Sequence, residues 1–393
     1  MVVVPFQVIC LFYRPLADKW GRKKFLIINT FGMSIALLLI YLSRDLVLYF
    51  AGACMIQFFI PHDMHVVYIM ETAPARHRAR VYSSIKFAAN MGVMLIPVLR
   101  RLLMEHSSQW RSVYLIPALL GLVCSTIALL TTRETDAFMD SRLRYLRLGD
   151  VPREKKSENA QGGLINALRF AFSHRQLKWL YITSAFLNMG FLLTMEYQVI
   201  MTYGYAEHYL RQGMFATLEE AVNAASVGAV TSALFLFTVG SAVSQVIMGF
   251  LCDSRGRKTA AVIMASLCVV GFLGFFLGAN RGAAPGIVGF LCGACIGSYY
   301  AANDVLIMMI GESSPTNLRT STISAQYIVT AAGVVLSYAV GLPLMARLGN
   351  SAAGIIPLCM AVPGFVLALI CLCTRTRDTT GINMDTVTGC EWD

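Results

Sequence analysis

Charged side chains are scarce in this sequence: Asp, Glu, Lys and Arg make up 14% of its 393 residues, whereas apolar residues make up 56%. A soluble domain needs a polar surface, and a chain with a mean hydropathy of +0.62 cannot supply one. The composition therefore excludes an ordinary soluble domain and indicates a chain that lies mostly within a lipid bilayer.

Several motifs that carry chemistry are also missing. The sequence contains no Gly-x-x-x-x-Gly-Lys-(Ser/Thr) loop, which argues against direct ATP coupling within this chain. It has no His/Cys/Asp cluster or serine-nucleophile elbow on a cytoplasmic loop, which argues against a membrane-embedded enzyme. Its 11 cysteines fall almost entirely within apolar runs, where they act as small apolar residues. We therefore expect no enzyme activity, no cofactor and no metal site.

What the sequence does contain is a series of apolar runs. Ten are long enough to cross a bilayer as helices, and the first is too short. The predicted spans are Val2–Tyr13 (short), Phe25–Ser43, Leu46–Met70, Val81–Leu99, Val113–Thr131, Trp179–Thr202, Ser226–Cys252, Ala260–Ala279, Gly286–Ile310, Ser321–Ala346 and Ala352–Cys373. The sequence therefore predicts an all-α, multi-pass membrane protein with 11 spans.

The net charge of +10 is explained by membrane topology. If the turn at Asp18–Lys24 is cytoplasmic, 24 of the 32 lysines and arginines fall in cytoplasmic segments and 7 in external ones, with Lys86 inside a span. This is the positive-inside pattern of membrane proteins. We therefore expect the basic residues to orient the chain in the bilayer, with no nucleic-acid partner.

Three patterns occur twice in the chain, in the same order. The first half has an Asp–Gly–Arg–Lys turn, then a span with an internal Asp that leads to Glu, Pro and Arg, then Thr-Arg-Glu-Thr after its last span. The second half repeats them at offsets of 235, 241 and 244 residues. The matched residues are Asp18, Gly21, Arg22 and Lys23 with Asp253, Gly256, Arg257 and Lys258; Asp63, Glu71, Pro74 and Arg78 with Asp304, Glu312, Pro315 and Arg319; and Thr132–Thr135 with Thr376–Thr379. Such a repeat indicates a duplicated unit.

The duplication predicts the domain organisation. We expect an N-terminal bundle at 1–131, a cytoplasmic loop with an amphipathic helix at 132–176, a C-terminal six-helix bundle at 177–373 and a cytoplasmic tail at 374–393. The second half has a full span, Trp179–Thr202, before the helix that leads to Asp253, whereas the first half has only a stub before Asp18. We therefore expect a twelfth helix encoded upstream of Met1; the alternative is a protein with eleven helices.

The repeated motifs resemble those of the major facilitator superfamily. Asp-x-x-Gly-Arg-Lys, Glu-x-x-Pro-x-x-x-Arg and Arg-(Glu/Asp)-Thr are similar to its sugar-porter and organic-ion-transporter branch. The resemblance implies two pseudo-symmetric six-helix bundles with a central site exposed alternately to each side. It also implies a cytoplasmic gate formed by Asp18, Gly21, Arg22, Glu71, Arg78, Asp253, Gly256, Arg257, Glu312 and Arg319. Interfacial ion pairs of this kind can be made and broken at modest cost.

A few ionisable residues lie inside the predicted spans, where an unpaired charge facing lipid costs about 2.5 to 3.5 kcal/mol. Asp63 and Lys86 lie at similar depths on adjacent antiparallel helices, so an ion pair between them is geometrically possible. In the second half Lys86 is replaced by Tyr327, which could only hydrogen-bond Asp304. Two interpretations stay open: structural polar contacts that join neighbouring helices, or an unpaired Asp304 that titrates and couples a proton.

Counted with the expected upstream helix as the first, Trp179–Thr202 is the seventh span, and it offers further candidate binding residues. Glu196 and Gln198 lie near its external end, and Asn188 lies about two turns deeper. They could contact a solute in a central cavity, although Glu196 could equally be a carboxylate that reaches the membrane interface. The substrate-binding or ion-binding candidates are therefore Asp63, Lys86, Asn188, Glu196, Gln198, Asp304 and Tyr327.

The sequence thus predicts a secondary transporter that moves a small polar organic solute, such as a sugar or an organic ion, by alternating access, with protons as a candidate coupling ion. The alternative is a transporter-like receptor that binds solute without moving it. We expect a monomer in the plasma membrane, with the lipid bilayer and a small solute as its partners.

Overall fold

The computed structural model describes residues 9, 13, 16–59, 62–74, 77–103, 107–147, 163–348 and 355–382. Within these ranges the regular structure is helical, as the sequence predicts. The α-helices are α1 Ala17–Trp20, α2 Arg22–Leu42, α3 Leu46–Phe59, α4 His62–Thr72, α5 Arg78–Leu103, α6 Leu115–Thr131, α7 Asp136–Arg147, α8 Leu164–Ser173, α9 Arg175–Leu187, α10 Phe191–Met195, α11 Tyr197–Arg211, α12 Leu218–Ala224, α13 Thr231–Arg255, α14 Arg257–Asn280, α15 Pro285–Glu312, α16 Arg319–Leu348 and α17 Ile355–Arg375.

Seven helical segments in the described ranges are long and apolar enough to cross a membrane. They are Arg22–Leu42, Arg111–Thr131, Leu218–Arg255, Arg257–Asn280, Pro285–Glu312, Arg319–Met345 and Ile355–Arg375. Each contains or closely matches a predicted span. The predicted span Val81–Leu99 lies within the single helix α5.

The predicted span Leu46–Met70 contains α3 and α4, and residues 60–61 between them lie outside the described residues. The predicted span Trp179–Thr202 is interrupted in the structure: it changes to a tighter 3₁₀ turn at Asn188–Gly190 between α9 and α10, and breaks again at Glu196 before α11. Breaks of this kind free backbone groups and side chains at membrane depth. The short first span, Val2–Tyr13, lies almost entirely outside the described residues.

The cytoplasmic turns at Gly21 and Gly256 have the same unusual backbone. Their φ angles are +112° and +95°, in a region that only glycine adopts readily. A Cβ atom at either position would also collide with a carboxylate, from Glu134 at Gly21 and from Asp378 at Gly256. The two glycines therefore let each following helix, α2 or α14, begin directly against an acidic side chain.

The C-terminal half is held together by close helix contacts. Gly289, Gly293 and Gly297 follow one another at four-residue intervals on α15, and a Cβ atom on any of them would overlap the backbone of α13. Small residues at this spacing let two helices approach closely within a membrane. The contact fixes α15, which carries several of the polar residues described below.

The two halves meet along a few helices. The most extensive contact joins α5 of the first half to α13 of the second, and α4 also packs against α15 and α16. Gly249 of α13 lies directly against Ser83 and Ala79 of α5, where a larger side chain would not fit. The two halves are therefore in close contact where α5 begins and α13 ends.

Candidate functional site

Two buried glutamates lie at the centre of this contact between the halves. In the first half, Glu71 Oε1 lies 3.3 Å from Arg22 Nη2 of its own half and 2.8 Å from Arg319 Nη1 of the other. In the second half, Glu312 Oε1 lies 3.3 Å from Arg257 Nη2 and 3.2 Å from Arg78 Nη1. Each carboxylate thus binds one arginine from its own half and one from the other.

This cluster, which we call the reciprocal charge network, follows the sequence duplication. Glu71 and Glu312 are matched residues, as are Arg22 and Arg257, and Arg78 and Arg319. Arg22 adds a further bond between the halves by donating from Nη2 to the carbonyl oxygen of Thr316 at 2.8 Å. The structure therefore brings six of the predicted gate residues into one buried cluster.

The third repeated pattern supplies residues that the sequence analysis did not assign to the site. Thr135 donates to Glu71 Oε2 at 2.5 Å, and the matched Thr379 donates to Glu312 Oε2 at 2.6 Å. Their neighbours cap the two helices: Glu134 accepts from the backbone N–H of Arg22 at 2.9 Å, and Asp378 accepts from that of Arg257 at 3.1 Å. The signal was present in the repeated Arg-(Glu/Asp)-Thr pattern.

The carboxylate cap has a physical reason. The residue before each helix is glycine, which has no side chain to accept from the first backbone N–H groups. An acidic residue at a helix N-terminus satisfies these donors and interacts favourably with the helix dipole. The motif after each half therefore holds the start of α2 or α14 and, through the next threonine, orients the buried glutamate.

Of the remaining gate candidates, Asp253 also joins the halves. Its Oδ1 lies 3.0 Å from Arg257 Nη1, and its Oδ2 accepts from the backbone N–H of Arg80 in the first half at 3.0 Å. The matched Asp18 lies in α1, but its side chain is outside the described residues. Its place in the gate stays a prediction.

The arginines control the ionisation of Glu71, which follows the last residue of the predicted span Leu46–Met70. Burial alone would raise its pKa, but Arg22, Arg319 and the Thr135 hydroxyl hold the pKa below its usual value. Glu71 is therefore ionised at neutral pH, and the cluster is a true ion-pair network.

A second ion pair joins the halves deeper in the bilayer. Lys86 Nζ on α5 lies 3.5 Å from Asp304 Oδ2 on α15, and both side chains are largely buried. The ammonium group also lies 5.4 Å from the ring centroid of Tyr82, within cation–π distance.

This pair bears on the two interpretations that the sequence left open. The one in which Asp304 is unpaired is wrong, because Asp304 forms a salt bridge with Lys86. The sequence analysis considered only neighbours within one half, whereas Lys86 contacts the other half. The Asp63 side chain is outside the described residues, so the pair with Lys86 stays a prediction, as does the Tyr327–Asp304 hydrogen bond.

A buried polar cluster surrounds the break in the seventh span. Tyr299 Oη donates to Asn188 Oδ1 at 2.8 Å, and Asn188 Nδ2 donates to Asn303 Oδ1 at 2.9 Å. Nearby, Gln326 Nε2 on α16 donates to Ser184 Oγ at 2.9 Å, and no hydrogen-bond partner is recorded for Gln326 Oε1. Of these residues the sequence analysis had selected only Asn188; the i, i+4 spacing of Tyr299 and Asn303 on α15 was the available signal.

The other candidates in this region are more exposed. Glu196 lies at the second break of the seventh span and is half-buried. Gln198 is exposed and donates from Nε2 to Tyr197 Oη at 3.0 Å. Tyr327 is half-buried on α16. These three stay candidates on position alone.

A helical membrane protein whose two related halves are joined at one face by reciprocal ion pairs has the architecture of a membrane transporter. The chain belongs to the Major Facilitator Superfamily, whose family model matches residues 5–219. A second family model, described as sugar (and other) transporter, matches residues 185–377. This membership confirms the predicted fold class and the interpretation as a multi-pass membrane transporter rather than an enzyme.

Solved structures share this fold at low sequence identity. A proton:xylose symporter, XylE, bound to 6-bromo-6-deoxy-D-glucose superposes with a TM-score of 0.65 and 16% identity over 100% of this chain and 88% of that chain. A variant of the E. coli fucose:proton symporter FucP gives a TM-score of 0.60 and 13% identity over 94% and 87%. These similarities show the fold alone.

A curated relative matches over a shorter stretch. It is the Bos taurus protein named solute carrier family 2, facilitated glucose transporter member 4, with 29% identity over 111 residues. The match covers 28% of this chain and 21% of the relative. This chain thus aligns with about a fifth of that relative's length.

Proposed function

We propose that this protein is a secondary transporter that carries a sugar, or a similarly hydroxylated neutral solute, across the plasma membrane by alternating access. The Asn188–Tyr299–Asn303 cluster is the observation that carries this proposal. Sugar hydroxyl groups both donate and accept hydrogen bonds, and amide and phenol side chains can do the same. Asn188 and Tyr299 are buried, Asn303 is half-buried, and the cluster contains no charged side chain, which suits a neutral ligand.

The position of the cluster supports the proposal. Asn188 lies where the seventh span changes to a 3₁₀ turn, and its partners lie on α15, so three polar side chains converge at a helix break. Binding sites in such transporters are typically formed near interrupted helices at membrane depth. The family model described as sugar (and other) transporter also covers this segment.

The reciprocal charge network supplies the second element of the mechanism. Its ion pairs between the halves hold the cytoplasmic side closed, so the cluster would be reached from the external side in this state. Breaking those pairs would let the halves rock and release solute inside. We further propose that a proton gradient drives uptake, since two relatives of the same fold are named as proton symporters.

The test is uptake by the purified chain in proteoliposomes, with radiolabelled D-xylose, L-fucose and D-glucose as probes. We expect accumulation of at least one probe when an inward proton gradient is imposed. Binding of a probe without flux would favour the receptor alternative, and neither binding nor flux for any probe would contradict the sugar assignment.

Asn188→Ala tests the cluster directly. The change removes one acceptor and two donors, so we expect the KM for the transported probe to rise about tenfold or more, as for the loss of hydrogen bonds worth about 1.5 kcal/mol. Asn280→Ala is a matched control: Asn280 also donates from Nδ2 to the carbonyl oxygen four residues earlier, but at the end of α14. Equal KM values for the two variants would contradict a binding role for Asn188.

A further inference from the structure

Two ion pairs of the interface lie on the same two antiparallel helices. Arg78 pairs with Glu312, and Lys86 pairs with Asp304. Lys86 lies eight residues after Arg78 on α5, and Asp304 lies eight residues before Glu312 on α15, as expected for antiparallel helices. At about 1.5 Å per residue the two pairs are roughly 12 Å apart along the helices. Tyr82 and Met308, midway between them on the two helices, are both buried. The pairs therefore form an outer and an inner rung of one ladder between the halves.

The two rungs differ in which partners their carboxylates keep when the halves separate. Glu312 of the outer rung keeps Arg257 and Thr379 of its own half, and Arg78 lies at the cytoplasmic end of α5, where water can reach it. Glu71 likewise keeps Arg22 and Thr135. Every carboxylate of the outer layer thus keeps a cation after the halves part.

The carboxylate of the inner rung, Asp304, keeps no such cation within its own half. Within the described part of the chain, Lys86 is the one cation recorded with Asp304, and Asp304 Oδ2 accepts no hydrogen bond. Tyr300, one turn earlier on α15, interacts electrostatically with Asp304 but carries no positive charge. Separation would therefore leave a bare carboxylate in the membrane interior, which is strongly unfavourable.

The neighbouring helices offer no substitute cation. Among the helices packed against α15, the segments Thr231–Cys252 of α13, Thr259–Asn280 of α14 and Thr320–Ala346 of α16 contain no charged residue. On α9 the cations Arg175 and Lys178 are confined to the first turn of the helix. The ionisable residues of α4 are His62, Asp63, His65 and Glu71, and it carries no lysine or arginine. A positive ion from solution is the remaining way to neutralise Asp304.

We propose that Asp304, paired with Lys86, is the proton-binding site that couples the proton gradient to opening of the cytoplasmic side; this rests on the proposed function. A proton from the external side forms an O–H bond with the Asp304 carboxylate, while Lys86 keeps its own proton. The ion pair is replaced by a weaker charge–dipole contact, and the inner rung opens. Loss of the proton to the cytoplasm restores the carboxylate, which pairs again with Lys86 and closes the ladder.

The first test needs no substrate. Hydrogen–deuterium exchange of the full chain is measured at acidic and at neutral pH, corrected for intrinsic exchange, in the turn 313–318 that closes against Arg22. We expect faster exchange at acidic pH in the wild type and fast exchange at both pH values in Asp304→Asn. Glu207→Gln, which removes the acid of the surface pair with Arg211 within α11, serves as the control and should keep the wild-type response.

Substitutions of Lys86 distinguish proton coupling from simple packing. Lys86→Met removes the positive charge that favours the carboxylate, so the midpoint of the pH response should move up by about one pH unit or more. Lys86→Arg keeps the charge and should keep the midpoint near that of the wild type. A wild-type turn whose exchange is independent of pH, or an Asp304→Asn variant that keeps the pH response, would overturn the proposal. So would a response to Na⁺ in place of protons.

Transport gives the second readout. In proteoliposomes Asp304→Asn should lose proton-driven accumulation but keep exchange of the probe sugar at equal concentrations on both sides. Accumulation at the wild-type level in this variant would overturn the coupling role. If the wild type moves no probe sugar, the sugar proposal fails, while the exchange response of the turn 313–318 still decides whether Asp304 binds the proton.

Discussion

At the scale of single residues, the account rests on two buried carboxylates that each bind two arginines. A buried ion pair gains little over a well-packed apolar core, but removing one partner leaves an uncompensated charge. Glu71 and Glu312 have fully buried side chains, and each is the shared partner of two guanidinium groups. Such a cluster is costly to disrupt by mutation, yet in the proposed transport cycle its carboxylates can lose the arginine of the other half and keep their own.

This arrangement predicts the effect of neutralising a glutamate. Glu71→Gln or Glu312→Gln leaves two buried arginines without a carboxylate, so we expect destabilisation of about 3 to 5 kcal/mol. Thermal unfolding in detergent measures it as a lowered Tm. In Glu207→Gln, where the lost pair with Arg211 is exposed, the change should stay below about 1 kcal/mol. A Tm for Glu71→Gln equal to that of Glu207→Gln would contradict the predicted role of the cluster.

The residues of the network could be predicted from the sequence because duplication places them at matched positions with recognisable motifs. The pairing of Lys86 with Asp304 could not, because the position that matches Lys86 in the other half is the uncharged Tyr327, so the duplication does not reveal the contact. The Asn188–Tyr299–Asn303 cluster depends on how α15 packs beside a broken helix, and the spacing of polar residues within one helix does not show this.

At the scale of elements, close approach of α13 and α15 determines where the polar residues of the second half lie. The glycine series on α15 allows this contact because each position faces backbone atoms of α13. The sequence repeats Gly-Ala-Cys at Gly52–Cys54 and Gly293–Cys295, but this repeat does not show which helix Gly293 faces. The breaks within the span Trp179–Thr202 were also missed, because hydropathy is continuous across them.

The glycine contact can be tested by adding one methyl group. Gly293→Ala would place Cβ against the carbonyl group of Phe237, so we expect separation of α13 and α15 and a loss of stability of about 1 to 3 kcal/mol. Gly92→Ala on α5 is the matched control, because a Cβ atom there meets nothing within 4 Å. Alanine favours the helix, so that variant should be neutral or slightly stabilised. Equal Tm values for both variants would contradict the contact.

At the scale of the whole molecule, the two halves meet at one interface. Their contacts include an outer layer whose acids keep a cation when the halves part, and an inner rung that does not. This difference suggests an order: the outer network sets how firmly the cytoplasmic side is closed, and the inner rung decides under which conditions it opens. The repeated motifs indicated the outer layer of this interface, but they did not show that the contact extends along α5 and α15 to the Lys86–Asp304 pair.

The most direct test of alternating access is the distance between the halves at the cytoplasmic face. Fluorophores would be introduced at the exposed residues His77 and Arg255 through a noncanonical amino acid, which leaves the native cysteines in place. Single-molecule energy transfer should then show a short distance that exchanges with a longer one when a transported solute is added, and mostly the longer one in a Glu71→Gln/Glu312→Gln variant. A single distance that stays unchanged while solute crosses the membrane would contradict the account.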